Sequence, residues 1–248
     1  MRIPFTIAEV RKAVFKLKPG KSPGCDDIPV ELIKYAPDEI LQHITDIFNQ
    51  IASIGEFPTE INHSIHIPLQ KPGKLREPVV NLRPIILLST IRKILAVVMM
   101  RRIGEKLDRE TPITQAAYQG GRSTEKITEH VFAAKTVIER TINAKYETVY
   151  LTLLDMSKGF DSIQRKTLLK FLQNTISTDE LHTIKKMLDV TIAVRCGNTI
   201  GETFITDTGA PQGDCKCKQV HLLPCKVTRG VYQHPTRPSL LSTEHHEP

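Results

Sequence analysis

Residues 151–163 have the sequence LTLLDMSKGFDSI, the most informative stretch of this chain for its fold. The stretch from Thr148 to Leu154 is a nearly unbroken apolar, β-prone run whose length suits a buried strand. It ends abruptly at Asp155, and Asp161 follows after a polar turn. A carboxylate at the end of a buried strand can hold Mg²⁺ together with substrate phosphates. For an isolated pair of aspartates the commoner roles are structural, with Asp155 beginning a turn and Asp161 or Ser162 capping the next helix.

The sequence before this stretch predicts helices, a strand and a basic loop. Residues 6–17 have apolar side chains at helical spacing behind a Thr-x-x-Glu capping box, and the segment from Pro37 to Gly55 has a second helical pattern. The loop of residues 18–29 is rich in Lys, Gly and Pro, which excludes a helix. Residues 65–69 alternate apolar and polar side chains, which predicts a strand, and Pro68 limits that strand to a sheet edge.

Further helices and a hairpin are predicted on both sides of residues 151–163. Ser89 and Thr124 each precede a helical pattern, and two more helices are expected at roughly 162–173 and 179–189. Two β-prone segments flank Gly197-Asn198, which is a hairpin signal. Helices interleaved with strands favour a mixed α+β domain.

Composition excludes several classes of protein. Hydrophobic residues are 40% and charged residues 25% of the 248, which is typical of a folded globular chain. The formal net charge of +7 fits a polyanionic partner. No apolar run reaches membrane-spanning length and no secretory signal begins the chain, so no membrane partner and an intracellular location are expected. Three of the five cysteines lie within residues 215–225, which argues against a disulfide framework.

Six motifs occur in one order between Phe5 and Asp214, and their succession carries a family resemblance. They are KSPGCDDIP (21–29), KPGK (71–74), NLRPIILLS (81–89), GRST (121–124), DMSKGFD (155–161) and GAPQGD (209–214). In this succession the sequence resembles the reverse transcriptases of non-LTR retrotransposons. Each motif is weak alone, but six in the same order are not a coincidence. Group II intron maturases and telomerases share the polymerase design, but the KSPG, NLRPI and SKGFD forms lie nearer the non-LTR elements.

The resemblance implies an α+β, right-hand polymerase fold with fingers and an incomplete palm, and with the thumb absent. Residues 1–145 are then the fingers and the fingers–palm helices, and residues 146–214 are a partial palm. Residues 215–248 diverge from the family and are expected to be a disordered tail. The implied partners are an RNA template, a DNA primer and a deoxynucleoside triphosphate (dNTP). The implied reaction is nucleotidyl transfer by two metal ions.

By the same resemblance, Asp155 is the first catalytic aspartate and a ligand of Mg²⁺. Phe160 matches the bulky residue beneath the incoming sugar, which selects dNTP by colliding with a 2′-hydroxyl. Gln212 and Gly213 match the loop that borders the nucleotide, Gln212 by its side chain and Gly213 by close backbone approach. Outside the motifs, Phe160 would be interpreted as a core residue and Gln212-Gly213 as a simple turn.

Basic residues supply the remaining predicted contacts. Arg83 matches the fingers arginine expected at the triphosphate, where Lys71 or Lys74 can add a second cation. Lys21 and Arg122 are candidates for the template–primer path. A solvated basic loop is the alternative explanation for each lysine.

The sequence departs from the family after Asp214. The family places two further catalytic aspartates in a Tyr/Phe-x-Asp-Asp hairpin soon after PQGD, and residues 215–248 contain no such sequence. The chain is therefore expected to be a catalytically incomplete fragment of a polymerase. One alternative is a non-catalytic module that binds RNA or an RNA–DNA duplex. Another is a zinc site in the tail, although the spacing is unusual for structural zinc; its ligands would be Cys215, Cys217, His221 and Cys225.

Overall fold

A five-stranded mixed sheet and eight α-helices form the part of the chain that the computed structural model describes, namely residues 4–73, 75, 77, 79–110, 125–143 and 161–209. The helices are α1 (Ile7–Lys16), α2 (Val30–Lys34), α3 (Asp38–Ile54), α4 (Thr59–Asn62), α5 (Thr90–Glu110), α6 (Glu125–Asn143), α7 (Arg165–Gln173) and α8 (Thr178–Leu188). The strands are β1 (His63–Gln70), β2 (Leu82–Leu88), β3 (Thr191–Cys196), β4 (Thr199–Ile200) and β5 (Phe204–Ile205). The predicted α+β class is confirmed. The strand predicted at 148–154 lies outside the described residues.

The sheet brings distant parts of the chain together. Strand β1 pairs antiparallel with β2 over residues 64–70 and 82–88, and its other edge pairs parallel with β3 over residues 63–66 and 191–194. The far edge of β3 pairs with both β4 and β5 in antiparallel fashion. Ser64 also donates a side-chain hydrogen bond to Thr191 O across 127 positions of sequence. Strand β1 lies in the range predicted as fingers and β3 in the range predicted as palm, so the parallel pair joins the two ranges. The division of the chain into fingers and palm stays a prediction.

The prediction that Pro68 makes β1 an edge strand is correct at Pro68 itself and wrong for residues 64–66. At residues 64–66 β1 lies between β2 and β3, so both of its edges are paired there. The pairing with β3 stops at His66, and at Pro68 the strand pairs with β2 alone, opposite Pro84. A residue without an N–H is tolerated there because one side of the strand has no ladder to complete.

The predicted hairpin is present, with a shorter return strand than expected. Gly197 has φ +62° and stands with Asn198 between β3 and β4. The return strand is interrupted between β4 and β5, where Gly201 N donates to Val194 O at 2.9 Å. The sequence predicts the return strand at residues 202–206, of which only β5 is a strand, while β4 lies before that range. Both short strands pair with β3.

Helix α5 lies at the centre of the hydrophobic core. It is buried along most of its length, and the side chains from Ile94 to Met100 are all buried. This segment of seven residues is apolar on all sides and must therefore be covered on all sides. Side chains of α1, α3, α7 and α8 pack in the same core cluster. As predicted, Ser89 stands at its start: the hydroxyl accepts from Arg92 N at 3.5 Å.

The basic loop of residues 18–29 packs on the junction between β2 and α5. Gly24 is so close that a Cβ on it would lie 2.4 Å from Ser89 N and 2.6 Å from Leu88 O. The Thr90 hydroxyl donates to Ile28 O at 2.6 Å and fixes the end of the same loop. The glycine of the KSPG motif is thus required for backbone-to-backbone packing.

Two ion pairs connect α5 to neighbouring helices. Arg102 donates to both carboxylate oxygens of Glu9 at 2.7 Å, and its guanidinium lies 4.3 Å from the centre of the Phe5 ring. Lys106 donates to the largely buried carboxylate of Glu180 at 2.7 and 2.9 Å. These pairs join α1 and α8 to the central helix.

Helix α6 follows Thr124, as predicted, and has large exposed apolar side chains, among them Val131 and Phe132. Among the described residues, no helix is both long enough and apolar enough to cross a membrane.

Candidate functional site

The chain segments beside the DMSKGFD and GAPQGD motifs meet in the structure. Gly209, the first residue of GAPQGD, donates its N–H to Ile163 O at 2.9 Å. One position earlier, Gln164 and Thr208 form an antiparallel bridge. These contacts join residues that directly follow the first motif to residues that begin the second.

The bridge also corrects the predicted start of the helix after DMSKGFD. Asp161 and Ser162 form a turn, and α7 begins only at Arg165, with Gln164 at the N-cap position and no side-chain capping bond. The structural alternative in which Asp161 or Ser162 caps this helix therefore does not apply, because Gln164 is at the N-cap position. The chain first pairs with Thr208 and becomes helical afterwards.

Arg165 connects the two segments with its guanidinium. Its Nε donates to Gly209 O at 2.8 Å, one terminal nitrogen donates to Thr206 O, and the other donates to the Thr206 hydroxyl at 2.9 Å. Burial lowers the pKa of Arg165, and the nearby charges of Asp189 and Asp207 oppose that shift. The side chain stays cationic because an arginine pKa begins far above neutrality.

A cavity of about 220 Å³ lies beside this junction, against one face of the sheet. Its described apolar lining is Ile86, Val190, Ile192 and Phe204, and its described polar lining is Ser64, His66, Asp161, Arg165, Thr206, Thr208 and Gly209. The register explains the composition, since Ser64 pairs with Ile192 and His66 pairs with Ile86, so these side chains share a face. An apolar floor with a few convergent polar groups is typical of a ligand site.

His66 is the one titratable group on the sheet side of the cavity within the described lining. Burial lowers its pKa, while the charge of Asp161 works in the opposite direction. The imidazole is consequently neutral near pH 7, with one nitrogen able to donate and the other able to accept a hydrogen bond.

Comparison with known proteins identifies the family. Residues 69–216, more than half of the chain, match the family model described as reverse transcriptase (RNA-dependent DNA polymerase). The chain belongs to the reverse transcriptases. It is 29% identical over 214 residues to the RNA-directed DNA polymerase from mobile element jockey of Drosophila funebris. It is 26% identical to the probable RNA-directed DNA polymerase from transposon BS and 27% identical to that from transposon X-element, both of Drosophila melanogaster.

Each of these alignments covers 85% of this reverse transcriptase chain and 23% of the relative. The chain thus spans about a quarter of the length of the curated relatives it matches. The predicted relationship to non-LTR, LINE-type retrotransposons is confirmed by the family model and by these relatives.

Only three of the predicted site residues of this reverse transcriptase lie within its described part. Lys21 is exposed in the basic loop, and Lys71 is half-buried directly after β1, where its N–H donates to Asn81 O at 2.9 Å. Arg83 is exposed on β2 and pairs with Leu69. The remaining predicted residues lie outside the described residues: Lys74, Arg122, Asp155, Phe160, Gln212 and Gly213.

Arg83 does not line the cavity. Side chains alternate between the two faces of a strand, and Arg83 is three positions from Ile86, so the two residues point to opposite faces. Arg83 and Lys71 instead lie together at the turn end of the β1–β2 hairpin.

Reverse transcriptases generally use Mg²⁺, an ion that is held mainly by carboxylate and other oxygen ligands. No three His, Cys, Asp or Glu side chains come together among the described residues as a metal-binding group. Asp161 is the single carboxylate in the described lining of the cavity. The described residues of this reverse transcriptase therefore do not form a magnesium site by themselves. The predicted ligand Asp155 and the four tail residues of the alternative zinc site lie outside them.

Two residues of the junction, Arg165 and His66, were missed by sequence reasoning. Arg165 bonds mainly to backbone carbonyls, and no side-chain pattern signals such a partner. His66 stands in the alternating β1 pattern as an ordinary polar position. The sequence indicated only the region in which they lie, because the DMSKGFD and GAPQGD motifs adjoin the junction.

Proposed function

We propose that this part of a reverse transcriptase binds the incoming dNTP and a template–primer duplex. The observation that supports it most is the junction beside the cavity, where segments 44 positions apart meet through Arg165 and Gly209. Each segment directly adjoins a motif that the family places at the nucleotide. A site assembled from two motifs needs such a meeting point.

In this proposal the sugar lies over Phe160, and Gln212 and Gly213 border the nucleotide. The triphosphate is assigned to Lys71 and Arg83, the cations at the turn end of the β1–β2 hairpin. Lys74, which lies outside the described residues, is assigned to the triphosphate by its motif alone. Transferred phosphoryl groups require clamping cations, and the exposure of Arg83 suits that task. Lys21 and Arg122 are assigned to the template–primer phosphates, since Lys21 is exposed in the basic loop.

The proposal keeps Asp155 as the ligand of Mg²⁺, because carboxylate and phosphate oxygens are the ligands this ion prefers. Residues 1–145 are proposed as fingers and 146–214 as palm. Residues 215–248 contain no aspartate and so supply no Tyr/Phe-x-Asp-Asp sequence. A polypeptide of these 248 residues is therefore proposed to bind its substrates without copying a template.

Photo-crosslinking of radiolabelled dTTP in MgCl₂ tests the nucleotide site. Saturable labelling is expected to weaken about tenfold in Arg83→Ala and in Lys71→Ala, the loss of one clamping contact of about 1.4 kcal/mol. Lys16→Ala is the matched control, because Lys16 is an exposed lysine at the end of α1. Phe160→Val is expected to raise labelling by UTP relative to dTTP. Absence of saturable dTTP labelling in the unmodified protein would refute the proposal.

A primer-extension assay tests the second half of the proposal. The 248-residue polypeptide, supplied with template, primer, dNTPs and MgCl₂, is expected to extend nothing. Extension that disappears in Asp155→Asn would show that the chain is a complete catalyst and would contradict the proposed inactivity.

A non-catalytic module for RNA or an RNA–DNA duplex is the second candidate function. The exposure of Lys21 and Arg83, together with the net charge of +7, favours it. Duplex binding that falls steeply with salt, weakens in Arg83→Glu and Arg122→Glu, and persists without any dTTP labelling is the result that separates it from the first candidate.

A further inference from the structure

We propose that Arg165 is a positioning residue that holds the start of the GAPQGD loop against the segment after DMSKGFD. The inference rests on the proposed function, because its consequence is that nucleotide affinity depends on a residue that does not touch the nucleotide. Its structural basis lies entirely within residues 163–165 and 206–209.

The guanidinium makes its contacts as a fork. All three of its nitrogens donate to residues 206–209. Two of the acceptors are the backbone carbonyls of Thr206 and Gly209, and the third is the Thr206 hydroxyl. Because the guanidinium is planar and its donors are fixed in direction, three acceptors specify both the distance and the orientation of that segment. A lysine in the same place would keep the charge but would supply a point-like group with no fixed plane.

Gly209 is held from both sides of its peptide backbone. Its N–H donates to Ile163 O and its carbonyl accepts from Arg165 Nε, so both of its polar groups bond to the segment after DMSKGFD. Its φ of +82° is in the left-handed region, which favours glycine. The residue that begins the nucleotide-bordering motif is therefore fixed in position and in backbone direction.

Burial strengthens the effect of this contact. Arg165 is 9% exposed and Gly209 is buried, so water does not readily replace a lost bond. Removal of the guanidinium leaves the carbonyls of Thr206 and Gly209 without these donors. The expected response is local opening of residues 206–209 away from α7.

The experiment measures amide hydrogen exchange at Gly209 and dTTP affinity in the same set of variants. Arg165→Gln is expected to accelerate exchange at Gly209 at least tenfold and to weaken dTTP binding at least tenfold. Arg165→Lys is expected to show most of both effects, because the fork is lost while the charge stays. Lys166→Gln is the matched control, since it removes an exposed cation from the next position of the same helix and is expected to change neither.

Two variants keep Arg165 in place, in case Arg165→Gln does not fold. Thr206→Val removes only the hydroxyl acceptor and is expected to change both measurements two- to threefold. Gly209→Ala strains the backbone, because alanine disfavours a φ of +82°, and it is expected to change both measurements more strongly.

Three results overturn the inference or its premise. Unchanged exchange at Gly209 in Arg165→Gln shows that the guanidinium does not hold the segment. Faster exchange with unchanged dTTP affinity shows a local structural contact without a positioning role. Absence of dTTP binding in the unmodified protein refutes the proposed function instead, and exchange at Gly209 still tests the contact.

Discussion

Replacing Gly24 with alanine tests whether the basic loop is held on the β2–α5 junction by direct backbone packing. The new Cβ would lie 2.4 Å from Ser89 N and 2.5 Å from the carbonyl carbon of Leu88. Both atoms belong to the backbone where β2 ends and α5 begins, so they cannot rotate away as the end of a side chain can. Overpacking of this kind costs about 1–3 kcal/mol. That is a large part of the roughly 5–15 kcal/mol by which a domain is stable.

Urea unfolding followed by far-UV circular dichroism measures the effect. Gly201→Ala is the matched control, because a Cβ on Gly201 would meet only Val194 O at an ordinary 3.6 Å. Gly24→Ala is expected to lower the free energy of unfolding by about 1–3 kcal/mol more than the control. In a thermal scan the same difference corresponds to about 2–4 °C for each kcal/mol. If the two variants unfold within about 0.5 kcal/mol of each other, the packing argument fails.

Three further substitutions test two ion pairs and one partly buried histidine. Burial works to raise the pKa of Glu180, but the hydrogen bonds from Lys106 and from the helix cap outweigh burial, so the pKa lies below its usual 4.5. The ionised carboxylate therefore stabilises the folded state above pH 4.5, and this stabilisation is lost as the pH falls through the folded-state pKa. Glu180→Gln is expected to cost about 1–3 kcal/mol at pH 7 and to unfold with a weaker pH dependence between pH 6 and pH 3, measured by thermal denaturation. Burial lowers the pKa of His66 from 6.5, so the folded state loses stability as the pH falls below 6.5. The variant His66→Gln cannot be protonated and is expected to show a smaller difference in Tm between pH 7.5 and pH 5.5. Arg102→Lys keeps the charge but loses the two-pronged contact with Glu9, and a loss of about 1 kcal/mol in urea unfolding is expected, with an unchanged midpoint counting against it.

Elements with explicit end signals could be predicted from the sequence. The capping box of Thr6 and Glu9 is present at the start of α1, and Gly55 ends α3 in the left-handed conformation with φ +78°. Both signals are local, because they depend on backbone groups within four residues. Gly197-Asn198 between β3 and β4 belongs to the same class.

Elements that depend on distant partners were missed. Strand β2 has the continuous apolar run of residues 85–88, which does not distinguish a strand from a buried helix, and Pro84 weakens the strand signal further. The helices α2 and α4 have five and four residues, too few for a helical period to be recognised.

In the candidate site, too, local motifs could be recognised from the sequence, whereas contacts between distant residues could not. The motifs predict which residues lie near the nucleotide, and that assignment stays a prediction. Residues beside two of the motifs do meet in the structure. The contact that joins them uses the carbonyls of Thr206 and Gly209, which any residue would supply. The helix start predicted near residue 162 differs from the structure for the same reason, because residue 164 pairs with Thr208 and α7 begins only at Arg165.

The parallel pairing of β1 with β3 has a consequence for synthesis of the protein. Ser64 must wait until Thr191, 127 positions later, has left the ribosome before that edge of the sheet can close. At about 5–20 residues per second the delay is roughly 6 to 25 s. Throughout that interval the second edge of β1 offers unsatisfied backbone groups to any neighbouring nascent chain. A translation product that stops before β3 keeps this edge open permanently, and such products are expected to accumulate in aggregates.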